Sequence, residues 1–226
     1  MYHFPRPLTI GHATPGCYSR TMKPDYWDQA TRALARRDAR LRQLIRRFPG
    51  IHLARRSDPF TTLARAIVGQ QISVKAADSV WARLSAQLGG MNPRRMAACA
   101  PQDLRACGLS GRKTGYLLDL AAHFQSRRLQ PRRWQAMDDE AVIAELTTVK
   151  GIGRWTAEMF LIFHELRPDV LPLADLGLRR AVSLLYNDGE PLAPAEIRAL
   201  AEPWQPWRSV ATWYLWRSLD PIPVAY

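Results

Sequence analysis

Apolar residues recur along most of this chain at spacings of three and four, the period of a helix with one buried face. No segment alternates apolar and polar residues as a half-buried strand does, so the pattern predicts an all-α protein. Tyr26 to Phe48 reads as one long basic amphipathic helix stopped by Pro49-Gly50. A second starts at Ser57-Asp58-Pro59, carries Leu63, Ala66, Ile67 and Val68, and ends near Gly69-Gln70-Gln71-Ile72. Ser73 is placed to cap a third, in which Val74, Ala77, Val80, Trp81 and Leu84 run toward Gly89-Gly90. Short helices follow Asn92-Pro93 and Pro101, Gly111 to Phe124 is a longer amphipathic segment, and Pro131 opens a connector. Asp138 to Leu146 has helical spacing, Trp155 to Leu166 is strongly apolar, and Arg167-Pro168 ends it. Asp175 opens a helix to Tyr186, Pro194 opens another, and Pro206 starts the last, through Leu219. Residues 1–23, rich in Pro, Gly and polar side chains, read as an irregular arm.

Composition changes this picture in two respects. A net charge of +12 on 226 residues asks for a polyanionic partner, most simply nucleic acid. The plainer alternative is a basic soluble protein whose composition favours arginine over lysine. Cys17, Cys99 and Cys107 form no CxxC and cannot all pair, which suits a reducing compartment, and they are too few to ligate an iron–sulfur cluster. The five histidines are scattered without metal-ligand spacing, and His164 is expected to face core or solvent. No side-chain metal centre is therefore expected. No apolar run is long enough to cross a membrane and no secretory signal core is visible, so the expectation is a cytoplasmic or nucleoid-associated protein without a membrane partner.

The candidate chemistry centres on Lys150-Gly151-Ile152-Gly153-Arg154-Trp155 and on Asp175. Two glycines around one apolar residue permit a tight turn and close approach to another surface. The helix beginning there presents unpaired N–H groups and the positive end of its dipole, which together favour an anion. With the helix before it, the segment reads helix, glycine hairpin, helix over 138–166, a pattern suited to gripping the phosphate backbone of DNA. Asp175, by position alone, is a helix N-cap.

Four segments in order then resemble the helix-hairpin-helix DNA glycosylases of base-excision repair, in particular the alkylated-base, 3-methyladenine glycosylase II branch. They are Ile67-Val68-Gly69-Gln70-Gln71-Ile72-Ser73-Val74-Lys75-Ala76-Ala77, Gly108-Leu109-Ser110-Gly111-Arg112-Lys113, the hairpin running on to Leu173-Ala174-Asp175-Leu176-Gly177, and Trp207-Arg208-Ser209-Val210-Ala211 with Trp213-Tyr214-Leu215-Trp216-Arg217. The resemblance spans roughly Phe60 to Leu219. It implies two helical lobes with an active-site cleft between them: a central lobe over 60–169, and an outer lobe from 24–59 plus 170–226. It also implies a monomer acting on damaged double-stranded DNA without an organic cofactor, hydrolysing the N-glycosidic bond of a flipped alkylated base. Alternatives are a glycosylase for other damaged or mismatched bases, a non-catalytic helix-hairpin-helix DNA-binding protein, and a helical scaffold for acidic proteins.

On this resemblance Asp175 is the catalytic carboxylate, stabilising the positive charge that develops on the sugar and orienting or activating water. Ala174 stands where the family often has a second aspartate. Trp155 occupies the position of the lysine used by bifunctional members; it cannot form a Schiff base, which implies hydrolysis without strand cleavage. Trp155, Met159, Leu176 and Trp216 match the base pocket, where electron-rich rings suit a cationic base. Gln71 matches the wedge that fills the gap left by the flipped nucleotide, with Ser73 assisting; a polar helix end and a helix cap are their simpler roles. The amides of Gly151 and Gly153 are expected at phosphate, with Lys150 and Arg154 adding charge. The carbonyls of Thr147, Val149 and Ile152 match a site for Na+ or K+. Gln70, Arg208 and Arg217 are expected to be structural.

Overall fold

The computed structural model describes residues 23–55 and 57–219. Among them the chain forms thirteen α-helices and no strand: α1 (Trp27–Arg37), α2 (Ala39–Arg47), α3 (Pro59–Gly69), α4 (Val74–Leu88), α5 (Pro93–Ala98), α6 (Pro101–Ala106), α7 (Gly111–Gln125), α8 (Pro131–Trp134), α9 (Asp139–Leu146), α10 (Arg154–Phe163), α11 (Leu176–Tyr186), α12 (Pro194–Leu200) and α13 (Arg208–Leu219), with a 3₁₀ turn at Glu202–Trp204. The irregular arm expected over 1–23 lies, apart from Lys23, outside the described residues, as does Cys17. No described helix is long and apolar enough to cross a membrane.

Side chains at the helix starts explain most of the boundaries. Asp58, Ser73, Asn92, Ser110, Asp138 and Asp175 each accept a backbone N–H from the first turn of the helix they precede. Proline occupies the first turn of α3, α5, α6, α8 and α12, where its missing N–H would have had no helical partner.

Three boundaries differ from the periodicity. The single helix expected over Tyr26–Phe48 is broken at Asp38, whose extended backbone ends α1 while its Oδ1 accepts the amides of Arg40 and Leu41 to start α2. Its Oδ2 accepts the Tyr186 hydroxyl at 2.8 Å and the Trp204 indole N–H at 3.0 Å, so partners about 150 residues away reward the break. The apolar run beginning at Trp155 leaves the helix after Phe163, and Leu166 takes a left-handed backbone, φ +56°. The last helix begins at Arg208, two residues after Pro206.

The helices pack in two groups. In one, α7 packs against α3, α5 and α6, while α10 lies against α3 and α9. In the other, α13 packs against α1, α2 and α11. α10 and α13 are each buried over most of their length. One continuous core joins the groups, in which each fully buried leucine contributes about 2 kcal/mol by leaving water. The connection 168–175, which leads from α10 to Asp175, is fastened to α13. The Arg208 guanidinium pairs with Asp169 at 2.8 Å, and Ser209 Oγ accepts the Val170 amide at 2.8 Å. Arg208 thus has a structural role, and Arg217, 4% exposed, lies with its guanidinium 4.5 Å over the Trp213 ring.

Candidate active site and nucleic-acid interface

The hairpin between α9 and α10 is held from behind. Gly151 has φ +83°, and a Cβ there would fall 2.2 Å from the Tyr116 ring of α7, so both backbone and packing require glycine. Gln70, at the end of α3, donates its side-chain amide to the Gly151 carbonyl at 2.8 Å, and Asp119 of α7 accepts the Lys150 amide at 2.9 Å. Val149 and Ile152 bury their side chains at 2% and 4% exposure, so Ile152 offers a partner only its backbone. Gly153 caps α10 without a side-chain acceptor, leaving the first amides of a ten-residue helix for an external anion. The Val149 carbonyl accepts the Ile152 amide at 3.1 Å.

Arg154 is less available than its position suggests. It pairs bidentately with Glu140 and donates to Glu158 at 3.0 Å. Lys150 is exposed. Glu158 is 5% exposed. Burial pushes its carboxyl up, Arg154 opposes this, and the negative charges of Glu140 and Asp175 add to the rise.

Asp175 sits where the two helix groups meet, 8% exposed. As the N-cap of α11 it accepts the Leu178 amide on Oδ1 at 2.6 Å. The same oxygen accepts the Trp216 indole N–H from α13 at 2.8 Å, and Oδ2 accepts the Trp155 indole N–H from α10 at 2.9 Å. One side chain therefore caps α11 and accepts two indole N–H groups, so three elements converge on it. The tryptophans assigned to a base pocket for their faces also use their N–H edges to aim the carboxylate. Nothing in helical spacing could show that.

Beside this cluster lies a cavity of about 520 Å³ between α3, the start of α4 and α10. Trp155, Met159 and Phe163 form one wall; Gln71 and Ile72 stand opposite, and the paired Arg65 and Asp78 contribute polar groups. Trp155 is shared, lining the cavity while its N–H reaches Asp175. Trp216 and Leu176 do not line this cavity. Trp216 stacks on Phe163, with ring centroids 5.6 Å apart and planes at 12°, and Leu176 is 77% exposed next to Asp175. Phe163 is absent from the sequence-based site, although it shares the helix face of Trp155 and Met159 at spacings of eight and four. Glu158 is likewise outside that site; its sequence signal is a lone carboxylate in an apolar stretch of helix.

Gln71 takes a left-handed backbone, φ +56°, uncommon for a residue with a side chain, and is exposed at the cavity. Ser73 caps α4 by accepting the Ala76 amide at 3.3 Å. Ile72 and Val74 beside them are exposed apolar residues, 41% and 62%. Among the described residues no three His, Cys, Asp or Glu side chains cluster as metal ligands.

Residues 64–206 match the model of the HhH-GPD superfamily of base excision DNA repair proteins. The chain belongs to that superfamily. The matched region contains the hairpin, the cavity wall of α10 and Asp175, but ends before α13, which supplies Trp216 to this HhH-GPD site. The chain is similar to DNA-3-methyladenine glycosylase 1 of Schizosaccharomyces pombe, 34% identical over 79% of this chain and 80% of that protein. Against three other curated relatives it spans 48% to 65% of their length. Its fold is similar to the crystal structure of a DNA-3-methyladenine glycosidase from Bacillus halodurans, with TM-score 0.79 and 34% identity over 89% of this chain and 93% of that one. It is also similar to a S. pombe 3-methyladenine DNA glycosylase in complex with abasic DNA, with TM-score 0.73 and 29% identity over 84% and 96% of the two chains.

Proposed function

We propose that this HhH-GPD chain is a monofunctional DNA glycosylase that hydrolyses the N-glycosidic bond of alkylated purines such as 3-methyladenine and 7-methylguanine. The observation that carries this reading is the Asp175 carboxylate, held by three N–H donors at the junction of the helix groups, with Trp155 rather than an amine beside it. The relatives named for 3-methyladenine and the one in complex with abasic DNA support it.

In this mechanism the hairpin amides and the start of α10 take a DNA phosphate. Gln71 fills the gap in the stack, and the two helix groups act as lobes on either side of the flipped nucleotide. The cavity wall of Trp155, Met159 and Phe163 receives the base, whose positive charge is attracted to the rings. The base leaves with the bonding electrons, so a cationic alkylated purine departs neutral and needs no general acid. Asp175 stabilises the sugar cation left behind, and Oδ2, with one donor in place, retains a lone pair to orient the water and take its proton as the water oxygen bonds to the sugar. A monovalent cation on the carbonyls of Thr147, Val149 and Ile152 belongs to the same proposal. Neutral carbonyl oxygens suit such an ion, and the Val149 oxygen has one acceptor site beyond its bond to Ile152. The protein would act as a monomer on chromosomal DNA inside the cell.

The test is incubation with methylated duplex DNA, identifying released bases by mass spectrometry. Free 3-methyladenine or 7-methylguanine with intact abasic strands is the expected result. Absence of any released base would refute the assignment, and a borohydride-trapped protein–DNA adduct would refute the monofunctional mechanism.

A further inference from the structure

Gly177 lies in the first turn of α11 with ordinary helical backbone, so no unusual dihedral calls for glycine there. Apart from proline, glycine is the poorest helix former, and alanine would favour this helix. What the position lacks is therefore informative. A Cβ on Gly177 would lie 3.1 Å from Asp175 Oδ1, 3.2 Å from Trp216 Cδ1 and 3.3 Å from Trp216 Nε1. Two of those atoms, Nε1 and Oδ1, are the donor and acceptor of the 2.8 Å hydrogen bond between Trp216 and Asp175. Trp216 is not free to give way, because its ring stacks on Phe163, which lines the cavity. Any retreat disturbs that stack.

We propose that Gly177 is a positioning residue of the hydrolytic site, where the missing side chain lets the Trp216 indole reach Asp175 and fix the plane of its carboxylate. The inference rests on Asp175 as the catalytic group. Oδ1 is held by Leu178 and Trp216, which leaves Oδ2 directed toward Trp155 and the substrate. Displacing one donor on Oδ1 by a few tenths of an ångström turns Oδ2 away from the sugar, and reacting groups are sensitive to errors of that size.

Gly177→Ala is the test, read by base release, thermal melting and the 15N-indole resonance of Trp216, assigned by its loss in Trp216→Phe. The expected result is KM unchanged, kcat down about tenfold, a shifted Trp216 indole signal, and a melting temperature little changed, because the helix preference of alanine offsets the disturbed stack. In a Trp216→Phe background, which lacks the indole N–H, the alanine should cost little more. Wild-type kcat with an unmoved resonance would overturn the proposal, as would an equal loss in both backgrounds. If the unsubstituted protein released no base, the functional assignment would fail while the resonance still reported on the contact.

Discussion

Asparagine in place of Asp175 removes the charge with the least change in shape, and its consequences follow from the three donors around the side chain. Asparagine keeps one acceptor oxygen and puts an NH2 group where the other oxygen was. With its oxygen at the Oδ1 position, the Leu178 amide and the Trp216 indole stay paired, and the NH2 faces the Trp155 N–H, donor against donor. The opposite orientation would set two donors against the NH2, so the first is adopted. Trp155, 39% exposed, then turns its N–H toward water. Losing a hydrogen bond to a charged acceptor costs about 1.5–3 kcal/mol when the donor is stranded; access to water reduces this to about 1 kcal/mol. The chemical cost is larger. A preorganised group facing developing charge is worth on the order of a hundredfold to a thousandfold in rate, and Asp175→Asn should lower single-turnover base release from methylated duplex by at least about a hundredfold. Binding to duplex carrying a stable abasic analogue, measured by fluorescence anisotropy, should stay near wild type. Base release within a few-fold of wild type would refute the catalytic assignment.

Three further outcomes follow from other residues. Asp38→Ala removes the cap of α2 and strands the Tyr186 hydroxyl and the Trp204 indole N–H; urea unfolding should show a loss of about 2–4 kcal/mol. Gly151→Ala sets a side chain at φ +83° against the Tyr116 ring; the backbone alone costs about 1–2 kcal/mol. Duplex affinity should fall, and base release at saturating DNA should change little. His164 is held neutral, its value lowered to about 4, by burial first and then by the charge of Arg55. Between about pH 6.5 and 4 the unfolded chain takes up a proton that the folded chain refuses. This contribution is intact above pH 6.5 and is lost as pH falls toward 4, by about 3 kcal/mol in all. The difference in urea midpoint between wild type and His164→Gln, measured at pH 7 and pH 4.5, isolates it; no difference in pH dependence would refute the assignment.

Much of this protein could be read from residue order because the signals are local. The caps at Asp58, Ser73, Asp138 and Asp175, the first-turn prolines and the glycine pair of the hairpin act within four residues of themselves, and the helices start where those residues stand. Asp175 is by position alone a helix cap, and only the resemblance of the four segments singles it out. What it touches could not be read so, because its partners Trp155 and Trp216 are 20 and 41 residues away and meet it only when α10 and α13 come together around it. The break at Asp38 has the same origin: helical periodicity runs through it, and the Tyr186 and Trp204 donors that favour it arrive from the far end of the chain. Arg154 shows the reverse case, a cation that looks free in the sequence and is paired with Glu140 and Glu158 in the fold. The order of residues determined most helix starts and the hairpin, since these depend on neighbours along the chain, and the four matched segments pointed to the carboxylate. Tertiary packing decided the direction of that carboxylate, the shape of the cavity beside it and the need for a bare Cα at Gly177, because these are distances between elements.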